Sequence, residues 1–336
     1  MMEERITIRE VAAHAGVSPS TVSRVLNERA DNHMRPETKQ RVLEAIRALE
    51  YTPVKAAQTL RRQRTNTLGI LIPDIANLYF ALLIRGVESV TFDRGYTTLI
   101  CDSNRRPERE SRYLDILLSE GVEGILYVPV SRPDERMLRR VIDQGIEIVV
   151  ADRRLPGLPT VEAENRTASC ELAEYLLSLG YRRIGYVAGP EGVSTAQDRL
   201  SGFLRALEPV GLRPVAMERG DFTYEAGLQC SRRILAAHSV DAIVAANDLM
   251  AFGVLRAAEE NGLRVPADLG VAGFDHIPSV PYATFMHAEL TTVEVPTHQI
   301  GVEAARLLLN GGRESLRLKT RLIHGGTCLD RTRRKG

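Results

Sequence analysis

The chain has 336 residues, 44% of them hydrophobic, enough to bury the cores of two or three domains. No apolar run reaches the roughly 18 residues that span a bilayer, and the opening MMEERITIRE lacks the apolar segment of a secretory signal. Net charge is +1, but residues 1–65 carry 12 Arg and Lys against 8 Asp and Glu, while the remainder carries 32 against 35. A basic head on a mildly acidic body points to polyanion binding at the N-terminal end. The cysteines, Cys101, Cys170, Cys230 and Cys328, form no C-x-x-C pair, so buried reduced thiols in a cytoplasmic protein are expected rather than a zinc site or disulfide framework.

The first elements are short. Thr7 caps a helix starting near Ile8, with Glu10 at the capping-box position and Val11, Ala12 and Ala15 inward. Gly16 ends that helix, and Ser18 caps a second with Pro19 at its first position. Val22, Val25 and Leu26 face inward there, leaving Ser20, Thr21, Ser23, Arg24 and Asn27 outward. A third helix, PETKQRVLEAIRALEY, turns Val42, Leu43, Ile46 and Leu49 inward. Two short helices joined by a tight turn and braced by a third make a helix-turn-helix, which presents the start of its second helix to a major groove. The alternative is a three-helix core with no DNA partner. Residues 53–65, PVKAAQTLRRQRT, follow as a basic linker with a marginal helical pattern at Val54, Ala57 and Leu60, too short to be helical alone.

From Thr67 strands alternate with helices. TLGILIP precedes a helix over Phe80–Phe92 ended by Gly95; YTTLICDS, GILYVPV and EIVVADR follow. A second series runs through RRIGYVAG, AIVAAND and GVAGF, and later strands near 290–295 and 321–326 carry the chain back and forth. Two such series imply two doubly wound lobes with parallel sheets. Ligands in such sheets sit beyond the carboxyl ends of the strands. The polar residues there are Asp74, Asp152 with Arg153, Asn247 with Asp248, and Asp275; Asp248 also reads as a plain helix cap.

TIREVAAHAGVSPSTVSRVLN, followed by RPETKQRVLEAIRALEYTPVKAAQTLR, resembles the headpiece of the lactose/galactose repressor (LacI/GalR) family. GILIPDIANLYF, STAQDRLSGF, VAANDLMAFG, VAGFDHI and LTTVEVP extend the resemblance over nearly the whole chain. It implies an α + α/β chain. A three-helix helix-turn-helix headpiece (1–52) would lead through a hinge helix (53–65) to a two-lobed, periplasmic-binding-protein-like doubly wound α/β core (66–332). The N-lobe would comprise about 66–164 and 295–322, and the C-lobe about 165–294 and 323–332.

The resemblance also implies roles. Pro19 and Ser20 would help choose the operator and Arg24 would read a base, while Thr21, Ser23 and Asn27 hold phosphates. Thr7, Ser18 and Arg35 belong to the same DNA-facing set. Arg35 stands where the family often has a capping Ser, so the third helix loses its side-chain cap. In the hinge, Leu60 would be a minor-groove wedge, with Lys55 and Ala57 beside it and Arg61, Arg62 and Arg64 on phosphates. Asp74, Phe80, Asp152, Arg199, Asn247 and Asp275 match effector-contacting positions, and Phe222 matches an aromatic that stacks on the effector ring. Arg199 could fork onto two oxygens, and Asp275 could accept two neighbouring hydroxyls. Leu78 replaces a proline at the cleft lip, and His276 stands where a second acid is frequent.

No G-x-S-x-G, H-E-x-x-H or P-loop occurs, so an enzyme is not expected, and neither a cofactor nor a metal is called for. The expected function is a sequence-specific transcriptional repressor. Its expected partners are a palindromic double-stranded operator, a sugar-like effector in the interlobe cleft and a second copy of the chain, with no membrane. Two other readings are a regulator without an effector, answering to a partner protein, and a solute-binding protein. The tail CLDRTRRKG lacks a leucine heptad, so a dimer is the expected assembly.

Overall fold

The computed structural model describes residues 6–26, 34–51, 64–278 and 288–332. The chain folds as two units, Met1–Thr65 and Asn66–Gly336. In the first, α1 (Ile8–Ala15), α2 (Pro19–Leu26) and α3 (Pro36–Ala48) surround a core of Val11, Ala12, Ala15, Val22, Val25, Val42 and Ala45. The Glu10 carboxylate accepts from the Thr7 N–H at 2.6 Å and its hydroxyl at 2.8 Å, closing the first turn of α1. Gly16 ends α1 at φ +64°, a left-handed conformation that a side chain would strain. Ala45, absent from the expected inward set, is the buried residue of α3 beside Val42; Leu43, Ile46 and Leu49 are half-buried around it. Arg35 makes no side-chain cap on α3, as its residue type requires.

The second unit carries two parallel sheets. One has the order β11-β5-β4-β3-β1-β2 and is built from β1 (Thr67–Ile72), β2 (Thr97–Asp102), β3 (Gly124–Tyr127), β4 (Glu147–Ala151), β5 (Thr160–Ala163) and β11 (Leu316–Leu318). The other has the order β7-β6-β8-β9, from β6 (Ile184–Ala188), β7 (Ala216–Arg219), β8 (Ala242–Ala245) and β9 (Gly270–Ala272). β10 (Thr292–Glu294) and β12 (Arg321–Ile323) pair antiparallel to each other and lie on the second and third passes of the chain between lobes. β1, β3, β4, β6 and β8 are apolar and almost wholly buried, as parallel strands covered on both faces must be.

Helices cover the sheets: α4 (Leu78–Thr91), α5 (Pro107–Ser119) and α6 (Glu135–Asp143) in the N-lobe, joined late by α11 (Thr297–Asn310). The C-lobe has α7 (Asn165–Ser178), α8 (Ser194–Leu207), α9 (Tyr224–Ala237) and α10 (Asp248–Glu260). α4 begins two residues before the expected Phe80 because the Asn77 side chain caps it through the Tyr79 N–H at 3.0 Å. It crosses α11 at Gly86 and Gly301, where a Cβ on either would strike the other helix's backbone. Among the described residues no helix is long and apolar enough to cross a membrane. The four cysteines are unpaired; Cys170 is half-buried, not buried like the other three.

Candidate functional site

In the headpiece the exposed face of α2 carries Pro19, Ser20 and Arg24, with Thr21 and Ser23 half-exposed at its sides. Ser18 Oγ accepts the Thr21 N–H at 3.2 Å and lies 2.7 Å from Ser20 Oγ and 2.9 Å from Thr21 Oγ1. Three hydroxyls therefore gather at the positive end of a helix dipole. Thr7 and Arg35 are exposed. Asn27, Lys55, Ala57 and Leu60, with Arg61 and Arg62, lie outside the described residues.

In the second unit both sheets reverse their winding between neighbouring strands, β1 and β3 in one lobe and β6 and β8 in the other. The strand ends there open into a crevice. A cavity of about 230 Å³ lies in it, and all seven expected residues line it: Asp74, Phe80, Asp152, Arg199, Phe222, Asn247 and Asp275. Tyr79, Arg153 and Asp221 join them. Three of the seven hold left-handed backbones: Asp152 at φ +66°, Phe222 at +70° and Asp275 at +111°. Strain of this kind collects where a side chain must be aimed.

The cavity floor is a network. Arg199 directs Nε to Asn165 Oδ1 at 2.9 Å, Nη1 to the Ala246 carbonyl at 2.7 Å and Nη2 toward Asp275 Oδ1 at 2.8 Å. Its guanidinium also stacks 3.9 Å above the Phe274 ring. The fork expected to grip a ligand is thus largely engaged by protein, and Arg199 chiefly orients Asp275 and the strand ends around it. Asp275 Oδ1 is buried against that ion pair. Burial pushes the Asp275 carboxyl up to about 7; Arg199 pulls it down, and the charge of Asp152 adds to the rise.

Across the cleft the Tyr79 hydroxyl donates to Asp152 Oδ1 at 2.7 Å. Arg153 donates through Nη1 to the Pro129 carbonyl, while its buried Nε, 3.6 Å from Asp152 Oδ2, has no hydrogen-bond partner. Asn247 has two tasks: its oxygen caps α10 through the Met250 N–H and its amide donates to the Phe222 carbonyl at 3.1 Å. Asp74 accepts from the Ala76 N–H and sits 3.4 Å from Arg105. The Phe222 ring packs against Gly189, where any side chain would collide with it. The lobes are tied outside the cavity by Arg154, whose Nη1 lies 2.7 Å from Glu162 and 2.6 Å from Asp198.

Asp248 and His276 fall elsewhere. Asp248 is buried, accepting from the Thr292 hydroxyl at 2.6 Å and the Ile277 N–H at 2.9 Å, so it braces the β9–β10 junction. Leu78 is the half-buried first residue of α4, between Asn77 and Tyr79, which line the cavity. His276 turns to Glu289 and Glu294, at 3.6 and 3.8 Å, because its φ of +54° swings it off the line of Asp275. Tyr79, Asn165 and Asp221 escaped the sequence reading. Tyr79 adjoins Phe80 and could have been flagged as a polar aromatic after a strand end; Asn165 and Asp221 carried no such signal.

Residues 7–54 match the family described as bacterial regulatory proteins, lacI family, and residues 65–322 match periplasmic binding proteins and the sugar binding domain of the LacI family. The chain is 34% identical over 305 residues to the ribose operon repressor of Halalkalibacterium halodurans, spanning 90% of this chain and 89% of that protein. It is similar to the Lac repressor dimer bound to operator and the anti-inducer ONPF, at a TM-score of 0.85 and 25% identity, over 97% of this chain and 100% of that one. A LacI family regulator from Enterococcus faecium with bound ribose matches at a TM-score of 0.71 and 26% identity, covering 79% and 99%. With a helix-turn-helix head, a two-lobed body and both family matches together spanning nearly its whole length, the chain belongs to the LacI family and is a DNA-binding transcriptional regulator, not an enzyme.

Proposed function

We propose that the chain is a cytoplasmic repressor that binds a palindromic operator as a homodimer and responds to a monosaccharide-sized polyhydroxyl ligand in the interlobe cleft. One observation carries the ligand: residues from the strand ends of both lobes converge on a single cavity of about 230 Å³. Its chemistry suits a polyol. Asp275 offers a carboxylate braced by Arg199, Arg153 an Nε without a hydrogen-bond partner, and Phe222 an apolar face for a sugar ring. The names of the ribose operon repressor and of the ribose-bound relative favour a pentose.

On the DNA side, Arg24 is exposed on α2 for bidentate contact with a guanine, and Pro19 and Ser20 flank it as apolar and hydroxyl readers. Ser18, Thr21 and Ser23 would hold phosphates near the start of α2, with Thr7 and Arg35 nearby in the set. Asn27, Lys55, Ala57 and Leu60 are assigned by resemblance alone. A ligand that prefers the closed lobes shifts the arrangement of two paired N-lobes, and through it the order of the hinge.

A thermal-shift screen of the full chain against pentoses, hexoses, sugar phosphates, sugar acids and nucleobases tests the cleft. A selective rise with one pentose supports the reading; a rise only with an anionic or aromatic class replaces the ligand. In vitro selection of bound DNA tests the rest: inverted repeats are expected, and enrichment of single half-sites alone would overturn the dimer.

A further inference from the structure

Behind the N-lobe wall of the cleft lies a second cavity of about 240 Å³, opening between α5 and the start of α6. Glu110 reaches into it from the first turn of α5 and is only 3% exposed. Its Oε1 accepts the Val130 N–H at 2.6 Å. On the same peptide group, Arg153 donates to the Pro129 carbonyl. The Pro129–Val130 segment is therefore held by a carboxylate from behind and a guanidinium from the cleft side. Val130 and Arg153 both line the ligand cavity, whereas Glu110 does not.

A carboxylate buried this deeply is costly unless a positive charge balances it. The charges and titratable groups around Glu110 are Tyr127 on β3, Arg153 after β4, Arg132 and Asp134 before α6, and Glu108 on its own helix. Arg132 is engaged with Glu135 at 2.7 Å. Arg153 is the buried cation left, and its charge acts on Glu110 as that of Glu110 acts on it.

We infer that Glu110 is a positioning residue of the ligand cleft, its negative charge keeping Arg153 and Val130 in the arrangement that receives a ligand, so that affinity depends on whether Glu110 is ionised. The inference rests on the cleft being the ligand site, as proposed above. Burial pushes Glu110 up to about 7, while the Val130 N–H, Tyr127 and Arg153 pull it down, so it changes charge around neutrality. Below that point Glu110 is a neutral acid resembling glutamine; above it, the carboxylate holds Arg153.

The test compares wild type with Glu110→Gln by calorimetric titration of D-ribose at pH 5.5 and 8.5. The ratio of the two dissociation constants is expected near one at pH 5.5 and about tenfold, with the variant weaker, at pH 8.5. Asp275 titrates in the same interval but is present in both proteins, so it cancels in the ratio. An equal ratio at both pH values overturns the inference. A second measurement needs no ligand: ¹³C NMR of the Glu110 carboxyl in the full chain, where Arg153→Ala should raise the titration midpoint by about one pH unit. An unmoved midpoint overturns the Glu110–Arg153 coupling. Absence of any D-ribose binding by wild type counts against the ligand class proposed above, and the NMR titration then decides the role of Glu110.

Discussion

The headpiece and the cleft place their functional residues by opposite means. In the headpiece, one eight-residue helix holds Val22 and Val25 in the core and exposes Pro19, Ser20 and Arg24, so its periodicity makes the face proposed to read DNA. In the cleft, residues from Asp74 to Asp275 meet only because two sheets end at the same crevice. The first surface is exposed and unstrained along its helix. The second is mostly buried, and three of its seven expected members carry left-handed backbones. A groove-reading face needs access, whereas a pocket needs preorganisation, and preorganisation strains the backbone.

The sharpest way to break this contrast is Arg199→Ala. It strands Asp275 and Asn165 in a buried site, and about 3–5 kcal/mol of stability should be lost from the body, read by urea unfolding. The headpiece, a separate unit, should keep its own helical signal; loss of both together would show that the two are not energetically distinct.

Next comes pH. The Asp275 carboxyl is raised by burial to about 7 in the fold, from an unfolded value near 3.8. A raised acid holds its proton longer in the folded state, so its contribution to stability is present below pH 3.8 and is lost as pH rises through about 7. Ligand hydroxyls prefer the ionised form, so affinity runs the other way. Between pH 8 and 5.5 the Asp275 part of the affinity should fall roughly 30-fold if only the carboxylate binds, multiplying the about tenfold part that belongs to Glu110. Calorimetry across that range checks it, and Asp275→Asn should be weak and far less dependent on pH, with Glu110 supplying the remainder.

Arg24→Ala tests the exposed face. Operator affinity should fall about tenfold with little change in binding to nonspecific DNA, measured by fluorescence anisotropy at fixed salt. Equal losses on both DNAs would make Arg24 a phosphate contact. Smallest is Ser18→Ala, which removes the acceptor for the Thr21 N–H and should cost the headpiece about 1 kcal/mol by circular dichroism.

Much of the cleft was legible in the sequence because polar residues after apolar strands stand out in an alternating α/β pattern. Asp74, Asp152, Asn247 and Asp275 are of this kind. Arg199 and Phe222 lie inside a helix and a loop, and only the family resemblance marked them. The use of Arg199 was not legible, since its partners Asn165, Ala246 and Asp275 come from three other segments.

The sequence by itself determined the helix-turn-helix, through Thr7, Gly16, Ser18 and Pro19, because caps and turns are decided by contacts a few residues apart. It also determined the alternation of buried strands and covering helices, which hydrophobic spacing encodes directly. Tertiary structure alone decided which charges line the cavity and which face each other. Arg199 became a brace, Asp248 a structural acid and Glu110 a support behind the wall, because ionic partners are chosen by long-range packing in a low-dielectric interior, where no local pattern records them.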